Sequence, residues 1–290
     1  MITDVLTRSR AQWTEAATTW EREGGLIEAS TRAVTDALVA VAGIAPGLRV
    51  LDVAGGTGDP TMRLASLVGT AGRVTCTDLT PAMLAGARRR VGSAERVAFA
   101  SASAEALPFP DATFDAVVSR FGVMLFADPA AGVREMARVA RPRGVVAAAV
   151  WGAPERNPYL AVPILAVARF ARGVPPPDPN APGVFRLAGP GQLAELFSAA
   201  GAEDVREERR AFVMEAALDL DSFWSFLLRI AAPMRAMVAT QPADVQRDIA
   251  AAVRDDVARY FGGGTMRFPA EMVLVCARTA GTPALSRTAP

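Results

Sequence analysis

The chain has 290 residues, of which 51% are hydrophobic and 21% are charged, so its composition favours one large packed domain, or one domain with a sizeable insertion, over disorder. The formal net charge of +1 supplies no excess that would favour nucleic acid or an acidic membrane as a partner. Two cysteines and no histidine exclude imidazole bases, Ser–His triads and His-ligated metals and disfavour a zinc site, so we expect no metal.

The N-terminal stretch MITDVLTRSRAQWTEAATTWERE contains acids and lacks an apolar core, which distinguishes it from a signal peptide. Trp13 and Trp20 lie seven residues apart on a predicted helix, and they either pack that helix against the core or wall a ligand cleft. No run approaches the roughly 18 apolar residues of a membrane span, so we expect a cytoplasmic protein. Cys76 and Cys276 lie in strand-like contexts and are expected to be reduced core residues.

Helices and strands are predicted to alternate from residue 27 onwards. Ile27, Val34, Leu38 and Val41 define one apolar helical face over residues 27–42. After it we predict strands at 48–53, 73–77, 97–101, 114–119 and 144–151, with helices at about 60–69, 80–90 and 128–140. Strands that alternate with helices at this spacing indicate a parallel sheet with crossover helices on both faces.

The pattern changes after Trp151, where longer helical stretches interrupt it. We predict helices at 158–172, 190–200 and 219–261, strands at 204–216 and 267–278, and a Pro-rich surface loop, GVPPPDPNAPG, at 173–183. The fold prediction is an α/β, Rossmann-like, doubly wound, seven-stranded and mostly parallel sheet with helical lid insertions. The expected division is N-terminal helices and a ligand-binding core at 1–152, a first lid at 153–188, a core continuation at 189–218, a second lid at 219–262, and the last core strand with the tail at 263–290.

A glycine-rich stretch, VLDVAGGTGDP at residues 50–60, lies between a predicted strand and a predicted helix. This is the context of a nucleotide-binding turn, although a tight turn that binds nothing has the same pattern. Asp78 ends the next strand, 20 residues after Gly58, where an acid can accept hydrogen bonds from both hydroxyls of a ribose. The alternative is a negative charge that stabilises the N-terminus of the helix starting near Thr80.

The ligand of this turn is predicted to lack phosphate. Asp59 puts a negative charge where a pyrophosphate would lie, and the chain has neither a GxGxxG turn nor a GxxxxGK[ST] loop here. Asp52, within the first strand, is placed to face a cation instead.

Four stretches carry a resemblance to a known family: VLDVAGGTGDP, TCTDLTPAMLAGAR, ASAEALPFPDATFDAVVSRFGVMLFADP and RPRGVVAAAVW. Over about residues 45–152, in this order and spacing, the sequence resembles class I S-adenosylmethionine-dependent methyltransferases. It resembles the branch that includes ubiquinone- and menaquinone-biosynthesis enzymes and many natural-product methyltransferases. The two predicted lids resemble the variable substrate-covering segments of that family without a specific motif.

The resemblance implies S-adenosylmethionine as cofactor and implies roles for ten residues. Asp52 and the backbone of Ala54, Gly55, Gly56 and Gly58 would hold the methionine part, Asp78 the ribose diol, Leu79 the adenine face, Ser103 and Ala104 the adenine edge, and Ser119 would lie beside the sulfonium.

Three positions depart from the family pattern. Ala54 replaces the usual first glycine, which is tolerable if its φ is negative. Ser103 replaces the usual adenine-binding aspartate, and its hydroxyl accepts a hydrogen bond more weakly than a carboxylate does. Arg143 replaces a glycine of the usual RPGG turn, at a loop position where an exposed side chain costs little.

The substrate side is predicted from residues that follow the fourth strand and from the lids, because ligands of open α/β sheets bind at the carboxyl ends of the strands. Arg120 is the candidate catalytic residue, through electrostatic stabilisation of an oxyanion or carboxylate. The candidate substrate contacts are Trp20, Phe121, Met124, Tyr159, Phe185 and Trp224, with Phe126, Arg186, Arg229, Met234 and Met237 as further members of the same surfaces. Packing in the core is the alternative for each of these apolar residues.

The leading hypothesis is methyl transfer to an apolar small molecule, by O- or C-methylation in natural-product biosynthesis. The alternative is an enzyme of the same fold that uses S-adenosylmethionine as a non-reacting cation for a cyclisation or rearrangement. A nicotinamide oxidoreductase is disfavoured by Asp59 and the missing GxGxxG, and a nucleic-acid methyltransferase by SRFG, residues 119–122, where a catalytic NPPY-like tetrad would stand. The insertions also offer surfaces for an oligomer.

Overall fold

The structure is a computed structural model that describes residues 2–92, 95–173 and 181–281. Most of the predicted Pro-rich loop, residues 174–180, lies outside the described residues. None of the helices in the described part of the chain is long and apolar enough to cross a membrane.

One mixed sheet forms the centre of the molecule. Its strands are β1 (Arg49–Val53), β2 (Arg73–Asp78), β3 (Val97–Ser101), β4 (Phe114–Arg120), β5 (Ala140–Trp151), β6 (Glu203–Ala216), β7 (Phe261–Gly262) and β8 (Thr265–Arg278). The order across the sheet is β3-β2-β1-β4-β5-β8-β6, and β7 pairs only with β8. β1 to β5 are mutually parallel, whereas β8 runs antiparallel to β5, β6 and β7. The predicted Rossmann-like α/β fold is therefore confirmed.

Helices cover both faces of this sheet. They are α1 (Ile2–Arg22), α2 (Gly24–Val41), α3 (Asp59–Val68), α4 (Pro81–Val91), α5 (Pro129–Val139), α6 (Pro158–Phe170), α7 (Gln192–Ala199), α8 (Leu220–Ile230), α9 (Ala232–Ala239) and α10 (Ala243–Val257). The stretch 219–261, expected to be helical, contains three of them. Pro233 in the first turn of α9 and Pro242 before α10 separate them, because a proline cannot donate the backbone hydrogen bond that would continue a helix.

Two apolar cores lie on opposite faces of the sheet. Val34, Leu38 and Leu64, from α2 and α3, belong to the smaller core. The larger core joins α5 and α7 to the lid helices. Since the apolar positions recur at helical spacing, each amphipathic helix buries one stripe, either against the sheet or against other helices.

Some boundaries differ from the sequence-based prediction. β5 begins at Ala140, four residues earlier than expected, and Arg143 therefore lies in a strand rather than in a loop. Its side chain is exposed, as expected, but its φ is +58°. The two-residue strand β7 was not predicted, because a pair this short has no periodic pattern.

Candidate functional site

The carboxyl ends of β1, β2 and β4 meet around residues 54–58, which we call the glycine turn. Gly58 has a φ of +87° and is the last residue before α3, which begins at Asp59. A Cβ on Gly55 would lie 2.6 Å from Cys76 Sγ and 2.8 Å from Asp52 Oδ2, which is closer than such atoms approach. The backbone therefore lies directly on buried side chains and leaves its outer side to a ligand.

Ala54 departs from the expectation for this turn. The sequence argument required a negative φ, and the structure gives it +56°, a conformation that costs a non-glycine residue about 1–2 kcal/mol. Its Cβ also limits the neighbouring loop, since a Cβ on Gly122 would lie 2.8 Å from it. The substitution of glycine by alanine is thus strained, not neutral.

Asp52 lies beneath the glycine turn and is fully buried. Thr61 donates to its Oδ2 at 2.6 Å, whereas Oδ1 has no hydrogen-bond partner among the described residues. Burial raises the pKa of this carboxyl to about 7, against the lowering effects of Thr61 and Arg120. A buried oxygen without a donor is a place where a ligand cation would be stabilised.

Asp78 ends β2 and is linked directly to the glycine turn. The backbone N–H of Gly56 donates to its Oδ2 at 3.1 Å, and that of Thr80 donates to its Oδ1 at 2.9 Å. Burial raises the pKa of this carboxyl to about 6, and the two backbone bonds lower it in part. The bond to Thr80 fits the helix-terminus alternative, but the bond to Gly56 also ties the same carboxylate to the glycine turn.

The end of β3 lies next to Asp78 in the sheet. Ala102 donates its backbone N–H to the carbonyl of Asp78 at 3.0 Å. Ser103, one residue further, is half-buried, and its hydroxyl contacts the carboxylate of Glu105. Ala104 is buried, and Leu79, just after β2, is half-buried. These positions extend the ligand side from β2 towards β3.

The end of β4 closes the site on the other side. Ser119 is buried and donates its hydroxyl to the carbonyl of Val53 at 2.9 Å. Phe121 has a φ of +59° and stacks on Trp151, with ring centroids 4.2 Å apart and planes 11° apart. An apolar aromatic surface therefore adjoins the glycine turn.

Arg120 has partners other than the predicted substrate. Its guanidinium forms an ion pair with Asp59 and donates to the hydroxyls of Thr31 and Thr35, each at 2.8 Å. The side chain is only 8% exposed. Asp59, predicted to repel a phosphate, is in turn neutralised by Arg120, so the two form a buried brace between β4, α2 and α3.

Three comparisons with known proteins bear on this geometry. Residues 31–161 match the model of the ubiE/COQ5 methyltransferase family. Over these residues the chain is similar to that methyltransferase family. The match includes the glycine turn, Asp78 and the end of β4, so the resemblance drawn from the four motifs is confirmed for this methyltransferase core.

A curated relative supports the same assignment over part of the chain. The ubiquinone/menaquinone biosynthesis C-methyltransferase UbiE of Shewanella woodyi is 40% identical over 119 residues, which are 40% of this chain and 47% of the relative. The chain thus spans about half the length of the curated relatives it matches.

Solved structures share the fold at low sequence identity. The YcgJ protein of Bacillus subtilis has a TM-score of 0.56 at 21% identity, over 86% of this chain and 99% of that one. The [4+2]-cyclase SpnF has a TM-score of 0.54 at 20% identity, over 92% and 95% of the two chains. The shared fold therefore extends beyond residues 31–161 to most of the chain.

The residues predicted on the substrate side lie in different environments. Trp20 is half-buried on α1, meets Trp13 edge-on and donates its indole N–H to the carbonyl of Ile230 at 2.9 Å. Tyr159 is buried against Phe223 and Phe268. The N-terminal helix is therefore attached to the end of α8, and Tyr159 packs in an aromatic cluster with residues of α8 and β8.

The remaining substrate candidates also pack against other parts of the protein. Met124 is buried in the larger core, and Phe185 is half-buried and packs against that core. Trp224 is half-buried on α8 and lines a cleft of about 230 Å³ between α8 and α10. Contact of these three residues and Tyr159 with a substrate stays a prediction.

Sequence reasoning missed Thr61 and Glu105, which contact the candidate site residues Asp52 and Ser103. Thr61 is fully buried in α3 and fixes Asp52, and a polar residue on the inner face of an amphipathic helix was the available signal. Glu105 accepts from Asp128 N at 3.1 Å and contacts Ser103. No periodic pattern indicates that contact.

Proposed function

We propose that the chain is an S-adenosylmethionine-dependent methyltransferase that acts on an apolar small-molecule acceptor, at oxygen or carbon. The observation that carries the proposal is the pair of buried carboxylates, Asp52 and Asp78, on either side of the glycine turn in a region of that family. We include in the proposal a natural-product pathway as the setting, a cytoplasmic location, no nucleic-acid partner, and an oligomer formed through the insertions.

The residues fit the cofactor group by group. Oδ1 of Asp52 is the buried oxygen without a donor, and it would accept from an ammonium group held by the backbone of the glycine turn. The carboxylate of Asp78 would accept from two ribose hydroxyls. Leu79, Ser103 and Ala104 would contact the adenine. The cofactor supplies a methyl group on a sulfonium, which is a good leaving group.

The acceptor would lie beyond Ser119, against the aromatic surface of Phe121 and Trp151. Because the chain has no histidine, we propose that positioning and desolvation carry the reaction and that the acceptor's own acidity governs proton loss. Phenols, enols and carboxylic acids ionise easily and fit this requirement. In our proposal Arg120, paired with Asp59, shapes this wall of the site. It does not contact an oxyanion of the acceptor directly.

The lids would select the acceptor. Their half-buried aromatic residues Trp224 and Phe185 lie on the second and first lid, away from Asp52 and Asp78 in sequence. Substitution of either residue by alanine should then weaken acceptor binding and leave cofactor affinity nearly unchanged. Equal losses in both affinities would contradict this part of the proposal.

Binding is the first experiment. At a ligand concentration of 100 Kd, S-adenosylmethionine or S-adenosylhomocysteine should stabilise the protein by about 2.7 kcal/mol and raise the Tm by several degrees. NAD should leave the Tm unchanged, since Asp59 and the turn disfavour a pyrophosphate. A shift with NAD and none with the two adenosyl ligands would identify an oxidoreductase instead.

Turnover separates the proposal from its alternative. The [4+2]-cyclase of similar fold illustrates that an enzyme with this fold can be a cyclase. With an accepted substrate, a methyltransferase releases one S-adenosylhomocysteine for each product, and a cyclisation that uses the cofactor only as a cation releases none. Product without S-adenosylhomocysteine would therefore favour the alternative.

A further inference from the structure

Ser103 and Glu105 form a polar pair at the end of β3, beside the predicted ribose site. Asp78 pairs with Ser101 in the β2–β3 ladder, and Ala102 donates to the carbonyl of Asp78. A group attached to a ribose at Asp78 and directed towards β3 therefore meets Ser103. This placement follows from the register of the two parallel strands.

The hydrogen atoms of this pair can be assigned. A carboxylate only accepts hydrogen bonds, so the single hydrogen of the Ser103 hydroxyl points at Glu105. The other oxygen of Glu105 is held by the backbone N–H of Asp128, at the start of α5. The carboxylate is thus fixed from both sides, and only lone pairs of Ser103 remain for a ligand.

We propose that Glu105 determines base specificity by fixing Ser103 as an acceptor. An isolated serine hydroxyl can donate or accept and would tolerate either an amino or an oxo group on a purine. With its hydrogen held by Glu105, Ser103 binds the exocyclic amino group of a 6-aminopurine and repels a 6-oxopurine. Glu105 is accordingly a positioning residue that acts through Ser103, and the inference rests on the proposed cofactor site.

The test compares S-adenosylhomocysteine with its 6-oxo analogue, S-inosylhomocysteine, by calorimetry. The wild-type protein should prefer the amino ligand by about tenfold or more, because the oxo ligand leaves two acceptors facing each other. In Glu105→Gln the amide NH₂ can donate to Ser103 and release its hydrogen. The preference should then fall severalfold, chiefly because the 6-oxo ligand gains affinity.

Two further variants keep the result decisive. Glu95→Gln, at an exposed site before β3, changes the same charge and should keep the wild-type preference. Ser103→Ala should lose affinity only for the amino ligand, and it tests the inference even if Glu105→Gln does not fold. A wild-type preference in Ser103→Ala, or in a folded Glu105→Gln, overturns the inference.

Failure of the proposed function gives a different result. If the wild-type protein binds neither nucleoside, the cofactor assignment is wrong and this inference falls with it. If the protein binds S-adenosylhomocysteine but its base preference is independent of Glu105 and Ser103, the cofactor assignment stands and only the role of the pair is wrong.

Discussion

Asp78 accepts hydrogen bonds from two backbone N–H groups, one of which belongs to Gly56 of the glycine turn. Its buried carboxyl has a pKa of about 6, and that of Asp52 is about 7. A ligand that donates hydroxyls or an ammonium group to these acids binds their ionised forms. Protonation therefore competes with binding below neutral pH.

We expect the affinity for S-adenosylhomocysteine to rise as the pH increases from about 5.5 to 8, across the two raised pKa values. In Asp78→Asn the part of this pH dependence that is centred near pH 6 should disappear. The affinity at pH 8 should fall about ten- to a hundredfold, because the ribose loses a charged acceptor. Calorimetry across this pH range, in paired buffers that reveal proton release, measures both effects. A flat profile for the wild-type protein would contradict the prediction.

Backbone strain at Ala54 is a second effect of single residues. We expect Ala54→Gly to raise the free energy of unfolding by about 0.5–1 kcal/mol, since relief of a positive φ exceeds the added chain entropy. Arg143→Gly should behave similarly, because its φ is +58°.

The control for strain relief is Ala251→Gly, at an exposed helical position in α10. This change should lower stability by about 1 kcal/mol. Urea unfolding measures all three variants. Destabilisation by Ala54→Gly would mean that the turn adopts a negative φ in solution.

At the scale of secondary structure, Arg120 joins three elements that carry the site. Arg120→Met leaves the carboxylate of Asp59, itself 8% exposed, without its cation, and should lower the free energy of unfolding by about 3–5 kcal/mol. Arg63→Met is the matched control, because the Arg63–Asp36 pair also links α3 to α2 but is 48% exposed on both sides.

The exposed pair should contribute only about 0–1 kcal/mol. Denaturant unfolding of both variants, at low and high salt, gives the comparison. Equal losses would show that the buried position of Arg120 has no special importance, and a stable Arg120→Met with reduced activity would return Arg120 to a direct catalytic role.

The attachment of α1 to the second lid involves Trp20 and the ion pair Glu15–Arg235, and the pair Glu23–Arg229 adds to it just after α1. We expect Trp20→Phe to accelerate amide hydrogen exchange in α1 about fivefold, because one hydrogen bond worth about 1 kcal/mol is lost. Trp13→Phe is the control, since its indole N–H makes no recorded bond among the described residues. Equal acceleration in both variants would assign the effect to lost ring packing.

For the whole molecule, the sequence predicted the features that depend on local pattern. The parallel sheet followed from strands and helices in alternation, and the position of Asp78 followed from its place at the end of β2. These predictions succeed because hydrophobic periodicity and glycine content are set by neighbours in the chain. The same local signals explain why most helix ends were placed within a few residues.

The features that were not predicted depend on contacts between distant segments. Nothing near Arg120 in the sequence identifies Asp59 as its partner, and nothing near Ala54 shows that its φ is positive. Glu105 likewise acquires its role only when the start of α5 lies beside the end of β3. Such contacts are fixed by how elements pack, which a single sequence does not contain as a pattern.

The second lid leaves the sheet and returns to it at one place. Ala216, the last residue of β6, pairs with Met266 at the start of β8. The chain segment between these two residues therefore begins and ends at adjacent strand ends. Antiparallel neighbours need no more than a two-residue hairpin between them. Insertions and deletions between these two strand ends can therefore change the length of the segment while the strand ends that carry Asp52, Asp78 and Ser119 keep their register.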